Sequence, residues 1–214
     1  MSNIQLNTIY NENCLETMKR MPDNFVDLIL TDPPYGINAD KGVGGYGSSS
    51  HTAKKYKDDW DSFRPTQAYF DEMLRVGKDV IIFGGNFFTD LLPVNGHWIV
   101  WDKVGEIKFD NPFSKCELAW TNIRKNTVNK YVVIQQGFIS ADKERYHPTQ
   151  KPRQLFKGII NDYANEQSLI YDPFMGSGTT ARACKDLGRN FIGSEISKEY
   201  CDIANKRLSQ EVLL

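Results

Sequence analysis

Apolar runs alternate with helical stripes along most of the chain. Phe25-Val26-Asp27-Leu28-Ile29-Leu30 is a nearly continuous apolar run, stopped soon afterwards by Asp32-Pro33-Pro34-Tyr35. That pattern predicts a strand buried on both faces, as in a parallel sheet. Runs rich in β-branched and aromatic residues predict further strands at Thr8–Tyr10, Val80–Phe83, Trp98–Trp101, Glu117–Trp120, Tyr131–Ile134, Ser168–Tyr171 and Phe191–Gly193. Helices are predicted over Cys14–Arg20, through Gln67–Lys78 after Pro65, over Arg153–Tyr163, and from Thr179 to a stop at Gly188. Leu155, Phe156, Ile159 and Ile160 give the third of these an apolar stripe at helical spacing, most simply read as core. The alternation is that of an α/β fold.

One segment breaks the pattern. Gly36 to Trp60 is rich in Gly, Ser and Lys, and an unstructured stretch of that length in a compact domain is expected to be a mobile loop, either a functional lid or disordered. With 214 residues, the chain suits one α/β domain over 1–214 and not two.

Composition narrows the function classes. The chain is 40% hydrophobic with a mean hydropathy of -0.49, and no apolar stretch approaches the roughly 20 residues needed to span a bilayer. The first residues lack the charged and apolar regions of a secretion signal, so a cytoplasmic protein without membrane partners is expected. Cys14, Cys116, Cys184 and Cys201 form no C-x-x-C pair. They are expected to be reduced thiols packed as small apolar residues, and no metal is expected. The net charge is -1, yet Lys103 to Lys151 carries nine Lys or Arg against five Asp or Glu, a balance of +4. Such a stretch fits either a phosphate-tracking face or a solvated one. Of the histidines, His51 and His97 are read as structural, and His147 as ordering its turn.

The chemistry sits where strands are predicted to end, because ligands of open α/β sheets bind beyond the carboxyl ends of the strands. Pro33 and Pro34 stiffen the backbone after the second strand and leave carbonyl oxygens as acceptors. Asp32 adds a carboxylate and Tyr35 a flat ring, a set suited to a planar heterocycle bearing an amino group, such as a base flipped out of a duplex. A second strand–loop–helix unit follows at Asp172-Pro173-Phe174-Met175-Gly176-Ser177-Gly178-Thr179-Thr180. Its glycines allow close backbone approach to a ligand, and Glu195, just past the next strand, is suited to accept both hydroxyls of a ribose. Gly176 to Ala181 also satisfies the loose dinucleotide pattern, so a nicotinamide oxidoreductase is an alternative. A Walker A phosphate site is disfavoured, since no lysine occurs until Lys185.

Three segments in combination, Thr31–Tyr35, His147-Pro148-Thr149-Gln150-Lys151-Pro152 and Asp172–Thr180, resemble the β-class amino-specific DNA methyltransferases, which use S-adenosylmethionine. The resemblance covers most of the chain. It implies a three-layer, Rossmann-like methyltransferase fold, circularly permuted, with a mostly parallel seven-stranded sheet containing one antiparallel strand. By the same resemblance, Asp32, Pro33, Pro34 and Tyr35 are the catalytic set. Phe174, Gly176 and Gly178 line the cofactor, Asp172 faces its methionine amino group and Glu195 holds its ribose. Ser177, Thr179 and Lys151 are candidates for its carboxylate end. Asn13 and Cys14 lie near its adenine, with Asn13 standing where the family often has an acidic residue. The implied activity is methyl transfer from S-adenosylmethionine to the N6 amine of a flipped adenine in DNA, as in restriction-modification. Cytosine N4 is the rival target, and a silent DNA- or cofactor-binding module is a further alternative. DNA contacts are expected from Lys41, Lys54, Lys55, Lys57, Arg124 and Lys125, with 103–146 as a small recognition insert, and a homodimer is suggested.

Overall fold

The computed structural model describes residues 4–37, 63–108, 114–135, 146 and 150–210. Eight strands, β1 (Thr8–Tyr10), β2 (Val26–Thr31), β3 (Gly77–Phe83), β4 (Trp98–Asp102), β5 (Cys116–Thr121), β6 (Val128–Val132), β7 (Leu169–Asp172) and β8 (Asn190–Ser194), form one sheet. Five helices accompany it: α1 (Cys14–Lys19), α2 (Gln67–Val76), α3 (Arg153–Tyr163), α4 (Thr179–Asp186) and α5 (Lys198–Ser209). The sheet therefore has eight strands where the family resemblance implied seven. All eight come from the apolar runs seen in the sequence.

The strand order is β1-β8-β7-β2-β3-β5-β4-β6. Only β5 runs against the others, pairing antiparallel with both β3 and β4, while β6 returns parallel to β4. The central strand explains the apolar run: β2 pairs in parallel with β3 on one side and β7 on the other, so both its faces must be covered. Leu28 and Leu30 join one core with Leu155, Phe156, Ile159 and Ile160 of α3 and Ala181 and Cys184 of α4. Val26 and Ile29 join the opposite core with Met18 of α1 and Phe70, Met73 and Val76 of α2. From Leu28 to Leu30 the two sets alternate, because successive side chains of a strand point to opposite faces. Helices on both faces of the sheet make the three layers.

The predicted bounds of α3 match those observed, and α2 stops earlier than expected because the chain turns straight into β3 at Gly77. Edge strand β6 begins at Val128 instead of Tyr131. Its residues alternate between exposed and half-buried, and an edge with one weakly buried face offers little in the sequence to fix its limits. Trp101 and Trp120 are buried, and each indole N–H finds a carbonyl, that of Val133 and that of Pro93, at 2.9 Å. His97 is buried with Nε2 2.9 Å from the Tyr163 hydroxyl, in keeping with a structural role. Three cysteines are buried as expected, whereas Cys116, at the start of β5, is exposed. No helix among the described residues is long and apolar enough to cross a membrane.

After β3, Gly84 adopts a left-handed conformation at φ +66°, and the chain makes a single 3-10 turn over Gly85–Phe87. A Cβ at position 84 would lie 2.1 Å from Cε1 of Tyr35, so the missing side chain is what lets the Tyr35 ring lie against this turn. Gly84→Ala is expected to cost about 1–3 kcal/mol through backbone strain alone and to displace Tyr35. Urea denaturation checks this, and parental stability would mean that the turn relaxes without strain.

Candidate functional site

The sheet reverses its winding between β7 and β2. From β2 the chain passes through α2 to β3 on one side, and from β7 through α4 to β8 on the other. Such a switch point opens a crevice at the carboxyl ends of the two strands. Asp32 follows the end of β2 and Asp172 ends β7. Although 141 positions apart in sequence, Thr31 and Asp172 share a hydrogen bond, Thr31 Oγ1 donating to Asp172 Oδ1 at 2.7 Å. The tetrapeptide and the glycine loop thus border one crevice.

On the β2 side, Tyr35 donates its hydroxyl to Asp32 Oδ1 at 2.6 Å, and Lys151 Nζ lies 2.5 Å from Asp32 Oδ2. Tyr35 stacks on Phe87, centroids 4.7 Å apart and planes 19° off parallel. Lys151 is buried, and its ammonium is shared with Glu117 of β5, whose Oε2 lies 3.2 Å away. Lys103, just past β4, donates to Glu117 Oε1 at 2.8 Å. Burial raises the Asp32 carboxyl above its ordinary range and Glu117 pushes it further, while Lys151 opposes both. Burial works against the charge of Lys151 too, but Asp32 and Glu117 outweigh it and hold the ammonium above its usual range. Burial likewise opposes the charge of Glu117, and Lys151 and Lys103 outweigh it, lowering that carboxyl.

On the β7 side, the buried Asp172 carboxylate accepts from Thr31, from the Phe174 amide at 3.0 Å and from the Thr180 hydroxyl. Burial pushes its pKa up to about 6, against these three donors. The donors occupy three of the roughly four lone-pair directions of a carboxylate, so one acceptor direction is left. Glu195, beyond β8, accepts from Gly176 N at 2.7 Å through Oε2 and from Ser197 N at 2.8 Å through Oε1, and burial raises it as well. Gly176 has φ +52°, and a Cβ built there meets nothing within 4 Å. The loop therefore borders open space, the cradle a ligand needs.

The third motif spans both sides. While Lys151 reaches Asp32, the Gln150 side chain accepts from Ser177 Oγ at 3.4 Å, and buried Arg207 donates to the Ser177 carbonyl at 2.5 Å. Gly178 caps α4 and Thr179 begins it. Asn13 caps α1, accepting from Leu15 N, and its amide donates to the Tyr69 hydroxyl at 3.0 Å. The Tyr69 ring lies 6.0 Å from that of Phe174. Asn13 and Phe174 are thus joined through Tyr69, which the sequence did not single out. Cys14 is buried, its thiol pushed up to about 12 by desolvation, so it is a packing residue and not a nucleophile.

Two of the expected DNA contacts lie elsewhere. Because β5 runs antiparallel, its last residue Thr121 pairs with Ile81 and the following Asn122 meets Val80 and Lys78 toward the start of β3. Arg124 and Lys125 follow directly, at the end of the sheet opposite Asp32. The same reversal brings Glu117, at the other end of β5, into the site. Lys41, Lys54, Lys55 and Lys57 lie outside the described residues, as do His51, Trp60 and His147. Among the described residues no group of His, Cys, Asp or Glu is arranged to hold a metal ion.

Known proteins resemble this chain in sequence and fold. The type II methyltransferase M.HpaI of Haemophilus parainfluenzae is 27% identical over 93% of this chain and 73% of its own length. M1.MboII of Moraxella bovis is 26% identical over 97% of this chain and 98% of its own. The crystal structure of an M1.HpyAVI–SAM complex matches with a TM-score of 0.61 at 25% identity, over 95% of this chain and 99% of that one. The cytosine-N4-specific PvuII DNA methyltransferase shares the fold, with a TM-score of 0.64 at 13% identity over 97% of this chain and 88% of that one. A DNA methylase family model, that of the N6/N4 methyltransferases, matches residues 94–206, just over half of the sequence. With its Asp32–Tyr35 tetrapeptide preceding its glycine loop, the chain belongs to this family of amino-specific, S-adenosylmethionine-dependent DNA methyltransferases.

Proposed function

We propose that this protein methylates the exocyclic N6 amine of an adenine flipped out of DNA. The observation that carries this reading is that Asp32 and Asp172 stand at adjoining strand ends bridged by the Thr31–Asp172 hydrogen bond, one beside an aromatic ring and the other at the root of an open glycine loop. An aspartate at position 32 favours adenine over cytosine by resemblance to the family.

S-adenosylmethionine, when bound, supplies a methyl group on a positive sulfonium. The residues that would hold it are those of the β7 side. Asp172, with one acceptor direction left, suits the amino group of its methionine part, and Glu195 suits a ribose diol because each of its oxygens keeps a second lone pair beyond the backbone bond it accepts. Phe174, Gly176 and Gly178 line the cradle, Ser177 and Thr179 lie toward the carboxylate end, and Asn13 and Cys14 lie at the adenine end. Lys151 is directed at Asp32 and Glu117, so we group it with the acceptor and not with the cofactor carboxylate.

The reacting amine has a lone pair delocalised into its ring, so the protein's task is to orient it. Asp32 and the Pro33 carbonyl accept its two N–H bonds, drawing the nitrogen toward a tetrahedral shape. Pro34 keeps that backbone rigid. Tyr35 supplies a stacking surface, held in plane by Phe87 and by its own bond to Asp32. A base–aromatic stack returns roughly 1–3 kcal/mol, against an unstacking cost of a few kcal/mol. Phosphate contacts by lysines of the 36–60 segment would supply the remainder, with 103–146 contributing to recognition. Arg124 and Lys125, at the far end of the sheet, have no part in that set.

Sequencing of modified bases in DNA from cells expressing the protein tests the assignment. N6-methyladenine in a defined context is expected, and N4-methylcytosine would transfer the reading to the other amine. Asp32→Ala is expected to abolish transfer while leaving cofactor binding nearly intact, and substantial turnover in that variant would defeat the role given to Asp32.

Cofactor affinity should also depend on pH with a definite sign. Asp172 titrates near 6 in the free protein, and only its ionised form attracts an ammonium. Affinity is therefore full above pH 7 and falls as pH drops through 6, with Kd rising about tenfold per unit once the carboxyl is protonated. Calorimetric titrations from pH 8 to pH 5 check this, and Asp172→Asn should bind weakly and lose the transition near 6.

A further inference from the structure

We propose that Glu117 is a positioning residue for methyl transfer, acting through Lys151: it draws the shared ammonium off Asp32 so that Asp32 can receive the substrate amine and then its proton. The inference rests on the proposed role of Asp32 and adds a residue that neither the motifs nor the comparisons single out.

Both Asp32 oxygens are engaged in the free protein, Oδ1 by the Tyr35 hydroxyl at 2.6 Å and Oδ2 by Lys151 at 2.5 Å. An amine that needs Asp32 as acceptor therefore competes with a buried ammonium. Lys151 side-chain exposure is only 6%, so water cannot take over its solvation. Among the described residues, the one other carboxylate within ion-pair distance is Glu117. Phe83 and Tyr35 present ring faces to the same ammonium, at 5.6 and 5.9 Å, and confine it between the two carboxylates. Lys103 balances Glu117 from behind, which leaves the row Asp32, Lys151, Glu117, Lys103 with no net charge.

That balance matters when the proton moves. In the transfer the carbon–sulfur bond breaks, its electron pair stays on sulfur, and a carbon–nitrogen bond forms, leaving the positive charge on the amine. The amine then gives one proton to Asp32, which becomes neutral. At that moment Lys151 loses the charge of its nearer partner, and Glu117 keeps the buried ammonium compensated. Without Glu117, Lys151 stays locked on Asp32, which becomes both a poorer acceptor and a weaker base. The charged groups facing Asp32 are Lys151 ahead of α3, Glu117 of β5 and Asp172 of β7, with Tyr35 bonded to it and Lys103 behind Glu117.

The test uses paired substitutions with opposite signs. In the cofactor-free protein, the Asp32 carboxyl is titrated by carbon-13 NMR in the parent, in Glu117→Gln and in Lys103→Met. Its pKa is expected to fall in Glu117→Gln and to rise in Lys103→Met, because the first change leaves Lys151 to Asp32 and the second leaves Glu117 freer to claim it. Single-turnover methylation should slow about tenfold or more in Glu117→Gln, with its acid limb moved to lower pH and cofactor Kd unchanged. The charge-conserving Glu117→Asp should recover part of the rate. Unmoved Asp32 titrations in both variants, with the parental single-turnover rate in Glu117→Gln, would overturn the inference while leaving the role of Asp32 intact. If Glu117→Gln does not fold, Lys103→Met decides alone, an upward move supporting the inference and an unmoved titration overturning it. Turnover surviving in Asp32→Ala would instead remove the reading beneath it.

Discussion

The structure depends on the parallel pairing of β2 with β7 at the centre of the sheet. Strand pairing fixes the register between Leu28–Ile29 and Ile170–Tyr171, and register decides which residues emerge together at the strand ends. Thr31 and Asp172 emerge within hydrogen-bond distance, and the two loops that follow have no choice but to face each other. Everything chemical in the molecule is added to that junction. A one-residue slip would turn Thr31 to the other face of the sheet and separate the acceptor side from the glycine loop.

The junction holds charge at a cost. Asp32, Asp172 and Glu195 all have carboxyls raised by burial, which means that the folded protein disfavours their ionised forms relative to water. Each carboxylate is therefore held by specific donors: Asp172 by two threonines and an amide, Glu195 by two amides, Asp32 by a tyrosine and a lysine. The first two are held by uncharged hydroxyl and amide donors and are ready for a ligand without rearrangement. The third is held by a side chain that can be exchanged, which suits a group that must change partners during a reaction.

Much of this was legible in the sequence, for physical reasons that differ by element. The core strands read clearly because a strand covered on both faces must be apolar throughout, and α3 because its stripe is buried against one core. Asp32, Tyr35 and Asp172 stood out because they sit at strand ends next to Pro or Gly, where the backbone signal is strongest, and Glu195 because it lies just past the strand that follows the glycine loop. Helix α5 went unread, although Ser197 as a cap accepting from Tyr200 N and Glu199 in the first turn mark its start. Glu117 carried no signal, since its role depends on a lysine and an aspartate brought together from distant parts of the chain. Arg124 and Lys125 were drawn toward DNA by local charge, which says nothing about the direction of the strand before them.

The order of the strands also bears on how the molecule is assembled. Strands β1 and β2 are neighbours in sequence, yet β8 and β7 lie between them. A nascent chain emerging from the ribosome therefore carries β2 with one edge unfilled until β7, at Leu169–Asp172, arrives to slot in. Contacts of such long sequence separation slow folding, and an unpaired strand edge is prone to wrong associations while it waits. The permuted topology thus leaves the reaction crevice unfinished until β7 has been made, so that no product lacking β7 can assemble both walls of the site.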